Sequence, residues 1–385
     1  MNYKLEFDEL TIYYTGDISS TNAQQIEEDS FKITNANKFK SLVLNFRDLR
    51  YISSAGLRVV LKLKQTYKDT IIVEASKDVY DILDMTGFTD ILSVKRAFTV
   101  VDVRGKEVIG AGYFSIVYRL DRDTIVKVYT RGTSLEDIER ELNLAKEAFI
   151  LGIPTAISFD IVKVNNEFGV RFELLNSVSL RDLFKNNPND FDRLVKIYAD
   201  LLLKINNTET NDPNLPDAKE KWIEKLTQIK EFIDKAHYEK LMNMIKGIPD
   251  RNTFVHGDCH FKNIMMQNDE PILIDMDTLS KGHPIFELAS GLFAPYVAYE
   301  EDDPGNTEKF FGVSKELAYN VYNSVINEYF KKDDESIKDK IKIVAYTHLL
   351  WWNRVYEREY DNRFVNVRKR LLDLVDKYDD LNIGI

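Results

Sequence analysis

Two aspartates and an asparagine stand at spacings that suit phosphoryl transfer. His256-Gly-Asp258 is followed, after four residues, by Asn263, and Asp275 comes twelve residues later in Ile274-Asp-Met-Asp277. An Asp at the head of such a loop can orient an attacking hydroxyl and accept its proton. An Asn and a second Asp supply a neutral and a charged oxygen, the donors that magnesium takes while it bridges the phosphates of ATP. Apolar runs frame both loops. Thr253-Phe-Val precedes the first, Asn263-Ile-Met-Met follows it, and Pro271-Ile-Leu-Ile leads into Asp275. These runs read as short strands. Turn capping by the two aspartates is the alternative, and the agreement of both spacings argues against it.

Elements able to hold a nucleotide against these loops begin near residue 107. Val108-Ile-Gly-Ala-Gly-Tyr-Phe-Ser-Ile-Val-Tyr-Arg-Leu reads as strand, glycine turn and strand, and Ile125-Val-Lys-Val-Tyr as a third strand. Gly110, Gly112 and Ser115 make either a phosphate-covering nest or an ordinary hairpin. A helix is expected from Ser134, its N-cap, to Leu151, with Glu136 and Asp137 in its first turn. Lys127 offers a fixed positive charge for phosphate, and Glu141 on the helix can hold it in place. Strands follow near 156–164 and 169–174, and beyond Ser179 the pattern is mainly helical.

This region, about 107–385, resembles the aminoglycoside phosphotransferase and choline kinase group of kinase-like enzymes. His256-Gly-Asp-x-x-x-x-Asn is similar to the catalytic loop of that group, and Ile274-Asp275 to its second metal site. Lys127 and Glu141 are similar to its phosphate-contacting lysine and the glutamate paired with it. The resemblance implies ATP and Mg²⁺ as cofactors, Asp258 as catalytic base, and Asn263 and Asp275 as metal ligands. It places Glu173-Leu-Leu175-Asn176 at an inter-lobe hinge that offers backbone groups to adenine. His256 fixes the loop, and Asp277 is an accessory acid beside Asp275. His260 either touches the transferred phosphate or packs the loop. Glu287 matches a position where relatives often carry Asp and is assigned a structural role. Trp351, Trp352, Tyr356 and nearby acids are either helix-packing aromatics or a cage for a quaternary amine or amino sugar. Glu300-Glu-Asp-Asp303 is either a solvated loop or a border of the acceptor site.

The first hundred residues alternate strands and helices. Thr11-Ile-Tyr-Tyr, Ser41-Leu-Val-Leu-Asn-Phe and Thr70-Ile-Ile-Val read as strands. Leu57, Val60, Leu61 and Lys64 place one helical face, and Val79–Met85 forms a further helix ended by Gly87. Thr15-Gly-Asp-Ile-Ser, Leu42-Val-Leu-Asn-Phe-Arg-Asp-Leu and Tyr51-Ile-Ser-Ser-Ala-Gly-Leu-Arg make this module resemble a STAS domain of the anti-sigma factor antagonist type. The resemblance implies phosphorylation at Ser54 and partner switching. Ser53 stands where many members have Asp, and Ala55 where many have Ser or Thr. A phosphate on Ser54 would meet free N–H groups at the helix start. Capping of that helix by Ser53 or Ser54 is the alternative.

The expected fold is thus α/β (α+β): a STAS-like mixed sheet with helices at 1–98, a linker at 99–106, a kinase-like N-lobe at 107–178 and a helical C-lobe at 179–385. No apolar run of membrane-spanning length and no signal-peptide core is present. The single cysteine, Cys259, fits a reducing cytoplasm. A net charge of −11 argues against nucleic-acid binding. Residues 1–100 carry 13 basic and 14 acidic side chains, so nearly all the negative charge lies beyond them. That excess suits a cationic acceptor, or simply solubility. The expected activity is transfer of the γ-phosphoryl group of ATP-Mg to a hydroxyl of a small molecule, under a STAS regulatory module. The alternative is a bacterial signalling protein that switches partners, whose kinase lobe phosphorylates a protein, Ser54 included, or senses nucleotide.

Overall fold

The computed structural model describes residues 1–112, 115–130, 132–213, 215–292, 299–300, 306–355 and 362–385. The chain divides into two compact units, Met1–Arg104 with Ile161–Gly169, and Gly105–Asp160 with Val170–Ile385.

The first unit runs β1 (Asn2–Glu6), β2 (Glu9–Ile18), α1 (Ala23–Ala36), β3 (Ser41–Ile52), α2 (Ser54–Thr66), β4 (Thr70–Ala75), α3 (Lys77–Met85), α4 (Phe88–Ile91), β5 (Val94–Arg96) and β6 (Thr99–Val100). Its sheet has the order β1-β2-β3-β4-β5, with β1 antiparallel to β2 and the other neighbours parallel. β3 lies at the centre and buries Leu42, Val43, Leu44 and Phe46, a run expected of a parallel strand covered on both faces. The expected strands and helices of this module fall inside β2, β3, β4, α2 and α3. Thr99–Val100, expected as linker, pairs in parallel with Val162–Lys163.

Ser53 caps α2, its hydroxyl accepting the Gly56 N–H at 3.3 Å. Gly56 is needed where α2 closes on the sheet. A Cβ there would come within 2.6 Å of Ile18 Cγ2 and 2.8 Å of Ile52 Cγ1. Ser54, the first residue of the helix, is exposed.

The second unit begins with β7 (Val108–Ala111), β8 (Ser115–Arg119), β9 (Thr124–Tyr129) and α5 (Leu135–Ile150); the chain then runs through β10 (Ser158–Val164) and β11 (Glu167–Glu173), of which residues 161–169 count with the first unit. β7, β8 and β9 pair antiparallel. Alternation along β9 buries Val126 and Val128 and turns Lys127 to the opposite face. Ser134 caps α5 by accepting the Asp137 N–H at 3.1 Å. The helix buries Ile138, Glu141, Leu142 and Ala145, an i, i+3, i+4, i+7 stripe with a carboxylate inside it.

A helical lobe follows: β12 (Val178–Ser179), α6 (Leu180–Asn186), α7 (Phe191–Asn207), α8 (Ala218–Gln228), α9 (Lys235–Lys246), β13 (Phe254–Val255), β14 (Ile264–Gln267), β15 (Glu270–Leu273), β16 (Ser280–Lys281), α10 (Pro284–Glu287), α11 (Asn306–Phe311), α12 (Lys315–Phe330), α13 (Glu335–Val355) and α14 (Asn362–Lys377). Its core joins Tyr198, Trp222, Phe254, Phe286 and Val344. β14 and β15 form a hairpin, with Ile264 opposite Leu273. That register brings Asn263 and Asp275, at its two ends, side by side, and Ile274 N–H donates to Asn263 O at 3.0 Å. Among the described residues, no helix is long and apolar enough to cross a membrane.

Candidate active site

Lys127 joins three elements. Its Nζ lies 2.9 Å from Glu141 Oε1 and 2.6 Å from Asp275 Oδ1. Tyr129 OH donates to the other Glu141 oxygen at 2.8 Å, so both oxygens of this buried carboxylate are engaged. Burial works against the Lys127 charge, but Asp275 and Glu141 outweigh it and hold the ammonium above its ordinary range. Burial likewise disfavours charge on Asp275, and Lys127 beside it turns the net shift downward. Asp275 has a left-handed backbone, with φ +68°. Asp tolerates that region better than most residues, and a strained position beside an ion pair is a frequent mark of a functional loop.

The loop from His256 to Asn263 is built around its own backbone. Gly257 takes φ +83°, where a side chain would also crowd the Thr278 carbonyl. His256 Nδ1 accepts the Asp258 N–H at 3.2 Å, and Thr278 Oγ1 donates to His256 O at 2.6 Å. Asn263 Nδ2 donates to Asp258 O and to Asp258 Oδ2, both at 3.0 Å. With its amino group so engaged, Asn263 keeps Oδ1 as its remaining acceptor. The Asp258 side chain is 40% exposed. Desolvation, then the Asp275 charge, pushes its pKa up to about 7. Asp277 is pushed up to about 7 by the same two causes.

Both histidines of the loop are buried, and burial lowers each to about 4. His256 is a fixed, neutral brace. His260 packs edge-on against Phe310 and Phe311, with Nε2 3.7 Å from Asp258 Oδ1, too far for a hydrogen bond.

Beneath the loop lies Glu287, fully buried. Its carboxylate accepts the His256 N–H and, at 3.3 Å, the Gly257 N–H; the Cys259 N–H is directed at it too. Burial pushes this carboxyl up to about 7 against the pull of those donors. The chain passes close by in a π-helical turn, Leu288–Leu292. A Cβ on Gly291 would overlap Cys259 N and come within 2.7 Å of Glu287 Oε1. Tyr198 OH steadies the same loop by donating to Cys259 O at 2.5 Å. Glu287→Ala should therefore lower the melting temperature sharply. Each buried N–H left without an acceptor costs about 1–3 kcal/mol. Glu287→Gln, which keeps one acceptor oxygen, should melt between the two. An alanine variant that melts like the parent would show that Glu287 does not anchor the loop.

The glycine turn is a hairpin tip. Gly112 N–H donates to Ser115 O at 2.8 Å, and Gly110 sits opposite Val117. Its middle residues, Tyr113 and Phe114, lie outside the described residues. At the expected hinge, the Glu173 side chain is occupied, Oε1 accepting the Ile157 N–H at 2.7 Å. Leu174 N–H bonds Asp123 O at 2.8 Å, whereas Leu175 N–H meets no acceptor among the described residues. Glu300 is not a solvated loop residue. It pairs with Lys342 at 3.1 Å and accepts from the buried Tyr346 OH at 2.5 Å. Residues 301–303, Tyr356 and Tyr360 lie outside the described residues. Tyr129, Thr278 and Lys221 on α8 join the site without any motif to announce them.

The donor set fits magnesium on a nucleotide. Asn263 and Asp275 stand at neighbouring ends of the β14–β15 hairpin and carry hard oxygen donors, and Mg²⁺ on ATP takes one or two protein oxygens with phosphate and water completing its shell.

The family model described as "Phosphotransferase enzyme family" matches residues 107–308, and the model of the STAS domain matches residues 4–102. A protein of Bordetella bronchiseptica, described as anti-sigma factor antagonist BtrV, is 34% identical over 86 residues, covering 21% of this chain and 73% of that protein. Among solved structures, the gentamicin complex of APH(2'')-IIa is 15% identical, covers 76% of this chain and 95% of that one, and has a TM-score of 0.48. A choline/ethanolamine kinase family protein from Mesorhizobium loti is 12% identical, covers 71% and 92%, and has a TM-score of 0.46. The chain belongs to the phosphotransferase enzyme family and carries a STAS domain ahead of its kinase-like domain.

Proposed function

We propose that this chain transfers the γ-phosphoryl group of ATP to a hydroxyl of a small molecule, under the influence of its STAS domain. The observation that carries this is Lys127 held between Glu141 and Asp275, with Asp258 and Asn263 on the adjoining loop. Lys127 would hold the nucleotide phosphates, and Leu175 N–H would meet the adenine edge. Asn263 and Asp275 would hold magnesium, which neutralises phosphate charge when bound. Asp258 takes the proton as the acceptor oxygen bonds to the γ-phosphorus and the bond from that phosphorus to ADP breaks. Positioning and charge neutralisation supply the rate. The test is ADP formation by the full chain with ATP-Mg and a panel of hydroxylated acceptors. No acceptor-dependent ADP above a Lys127→Met control would remove this function.

A protein acceptor is favoured by a different observation. Ser53 does the capping of α2, and the exposed Ser54 hydroxyl has no hydrogen bond among the described residues. A phosphate there would sit on the positive end of the helix, so the fold should tolerate it. Intact-mass and peptide mass spectrometry after incubation with ATP-Mg reads this directly. An added phosphate on Ser54, absent in the Lys127→Met chain, would make the STAS domain the acceptor. An unmodified Ser54 together with turnover of a metabolite would assign the small-molecule reaction.

A further inference from the structure

Helix α8 presents two lysines, Lys221 and Lys225, one turn apart and therefore on one face. Lys221 Nζ reaches Thr278 O at 3.3 Å, and the Thr278 hydroxyl bonds His256 O, so this amine stands at the edge of the Asp258 loop. Lys225 lies four residues further on, about 6 Å along the axis. Its Nζ is 2.8 Å from His348 Nδ1, 4.0 Å from the centre of the Trp222 ring and 5.1 Å from that of Trp351. The Trp222 indole N–H donates to Val344 O at 3.1 Å, which ties α8 to α13.

Both lysines are partly buried, and neither has a carboxylate within ion-pair distance among the described residues. Buried lysines elsewhere in this lobe do have one: Lys338 pairs with Glu335 at 3.0 Å, and Lys342 with Glu300 at 3.1 Å. Asp277 and Glu224 act on Lys221 from longer range, and Arg140 opposes them. Desolvation lowers Lys221 to about 8 and Lys225 to about 7. A buried amine without a counter-charge is costly unless a ligand supplies one. The Trp351 face, open to an amine ligand on sequence grounds, is already taken by the chain's own Lys225.

We propose that Lys221 and Lys225 form an anion-binding wall of the acceptor site, so that the hydroxyl compound phosphorylated by this chain carries a carboxylate or phosphate of its own. This rests on the phosphotransferase function proposed above. It also sets the acceptor's charge opposite to the cationic one that the net acidity of the lobe suggested.

The chain has three tryptophans, Trp222, Trp351 and Trp352, and all stand in this cluster. Intrinsic tryptophan emission therefore reports this site whether or not phosphate is transferred. The full chain would be titrated with glycerol, D-glycerate, glycerol 3-phosphate, choline and kanamycin, with ADP formation measured beside each. An anionic probe should half-saturate the emission change at a concentration about 10-fold or more below glycerol, the worth of one charge-assisted hydrogen bond. Whether glycerate or glycerol phosphate is the tighter identifies the anion. Lys225→Met and Lys221→Met should each weaken that probe by about 10-fold or more, while Lys225→Arg retains it. If Lys225→Met does not fold, Lys221→Met decides. Anionic probes no tighter than glycerol, or unaffected by the methionine variants, would overturn the proposal. Transfer to choline or kanamycin alone would overturn it and leave the phosphotransferase function standing. Binding of the anions with no ADP from any acceptor would keep the anion site and remove the phosphotransferase function.

Discussion

Asp258→Asn is expected to lower phosphoryl transfer by about 100- to 10,000-fold, the usual worth of a positioned general base, while ATP-Mg binds as before. In the proposed reaction Asp258 serves the acceptor hydroxyl, and the nucleotide contacts fall to Lys127, Asn263 and Asp275. The replacement keeps the loop, because an amide oxygen at 258 can still accept from Asn263 Nδ2, now 3.0 Å from the carboxylate. Stability should hold or rise. The folded pKa of Asp258, pushed up to about 7 by desolvation and Asp275, lies above its unfolded value. The stability tied to its protonation is therefore complete at acidic pH and lost as pH rises toward and through 7. Above pH 7 the wild type holds an ionised carboxylate beside Asp275, and Asn removes that repulsion. In the metal-free enzyme the same shift protonates the base below about 7; Mg²⁺ on Asp275 would offset one of its two causes, so turnover should begin to fall at a lower pH than that. Calorimetry with ATP-Mg, a thermal melt and ADP formation decide the matter. Turnover within a few-fold of wild type would remove Asp258 from its role, and a lowered melting temperature would make it a structural residue.

Much of this site could be read from the sequence because its parts are local. Asp258, Asn263 and Asp275 lie on one loop and hairpin, so their spacing alone brings them together. Ser134 and the apolar stripe of α5 likewise announce the helix that carries Glu141. The contact between Lys127 and Asp275, 148 residues apart, is a product of the fold, and a resemblance could suggest it only by motif order. Glu287 was assigned a structural role, but its task was invisible because its partners are backbone N–H groups, which have no sequence signature. Lys221 and Lys225 were missed for a related reason. Ala218–Gln228 is dense in Lys and Glu and reads as a solvated helix; only the tertiary arrangement brings His348, Trp351 and Thr278 onto its lysine face. The acidic run beginning at Glu300 fails in the opposite sense. Glu300 is drawn inward because Lys342 and Tyr346, more than forty residues later, supply the partners that solvent would otherwise provide.

Asp275 provides the sharpest separation of nucleotide binding from chemistry. Replacing it should act on affinity, and with opposite sign according to metal. With Mg²⁺ present, Asp275→Asn should weaken ATP binding by about 10- to 100-fold, the worth of a charge-assisted contact of about 1.5–3 kcal/mol. Without metal, the Asp275 carboxylate repels the polyphosphate and also engages Lys127 at 2.6 Å, so its removal frees the lysine and ATP should bind no more weakly than to the wild type. Asn is the informative substitution because position 275 has φ +68°, which Asn accepts and Ala tolerates poorly. Asp275→Ala should show the same loss of metal-dependent binding with an added fall in melting temperature, and the difference between the two variants measures backbone strain. Calorimetric titration of ATP with and without Mg²⁺, on wild type and both variants, tests this crossed pattern. Equal ATP-Mg affinity in wild type and Asp275→Asn would show that this carboxylate does not hold the metal, and would leave it as a counter-charge that keeps Lys127 in place.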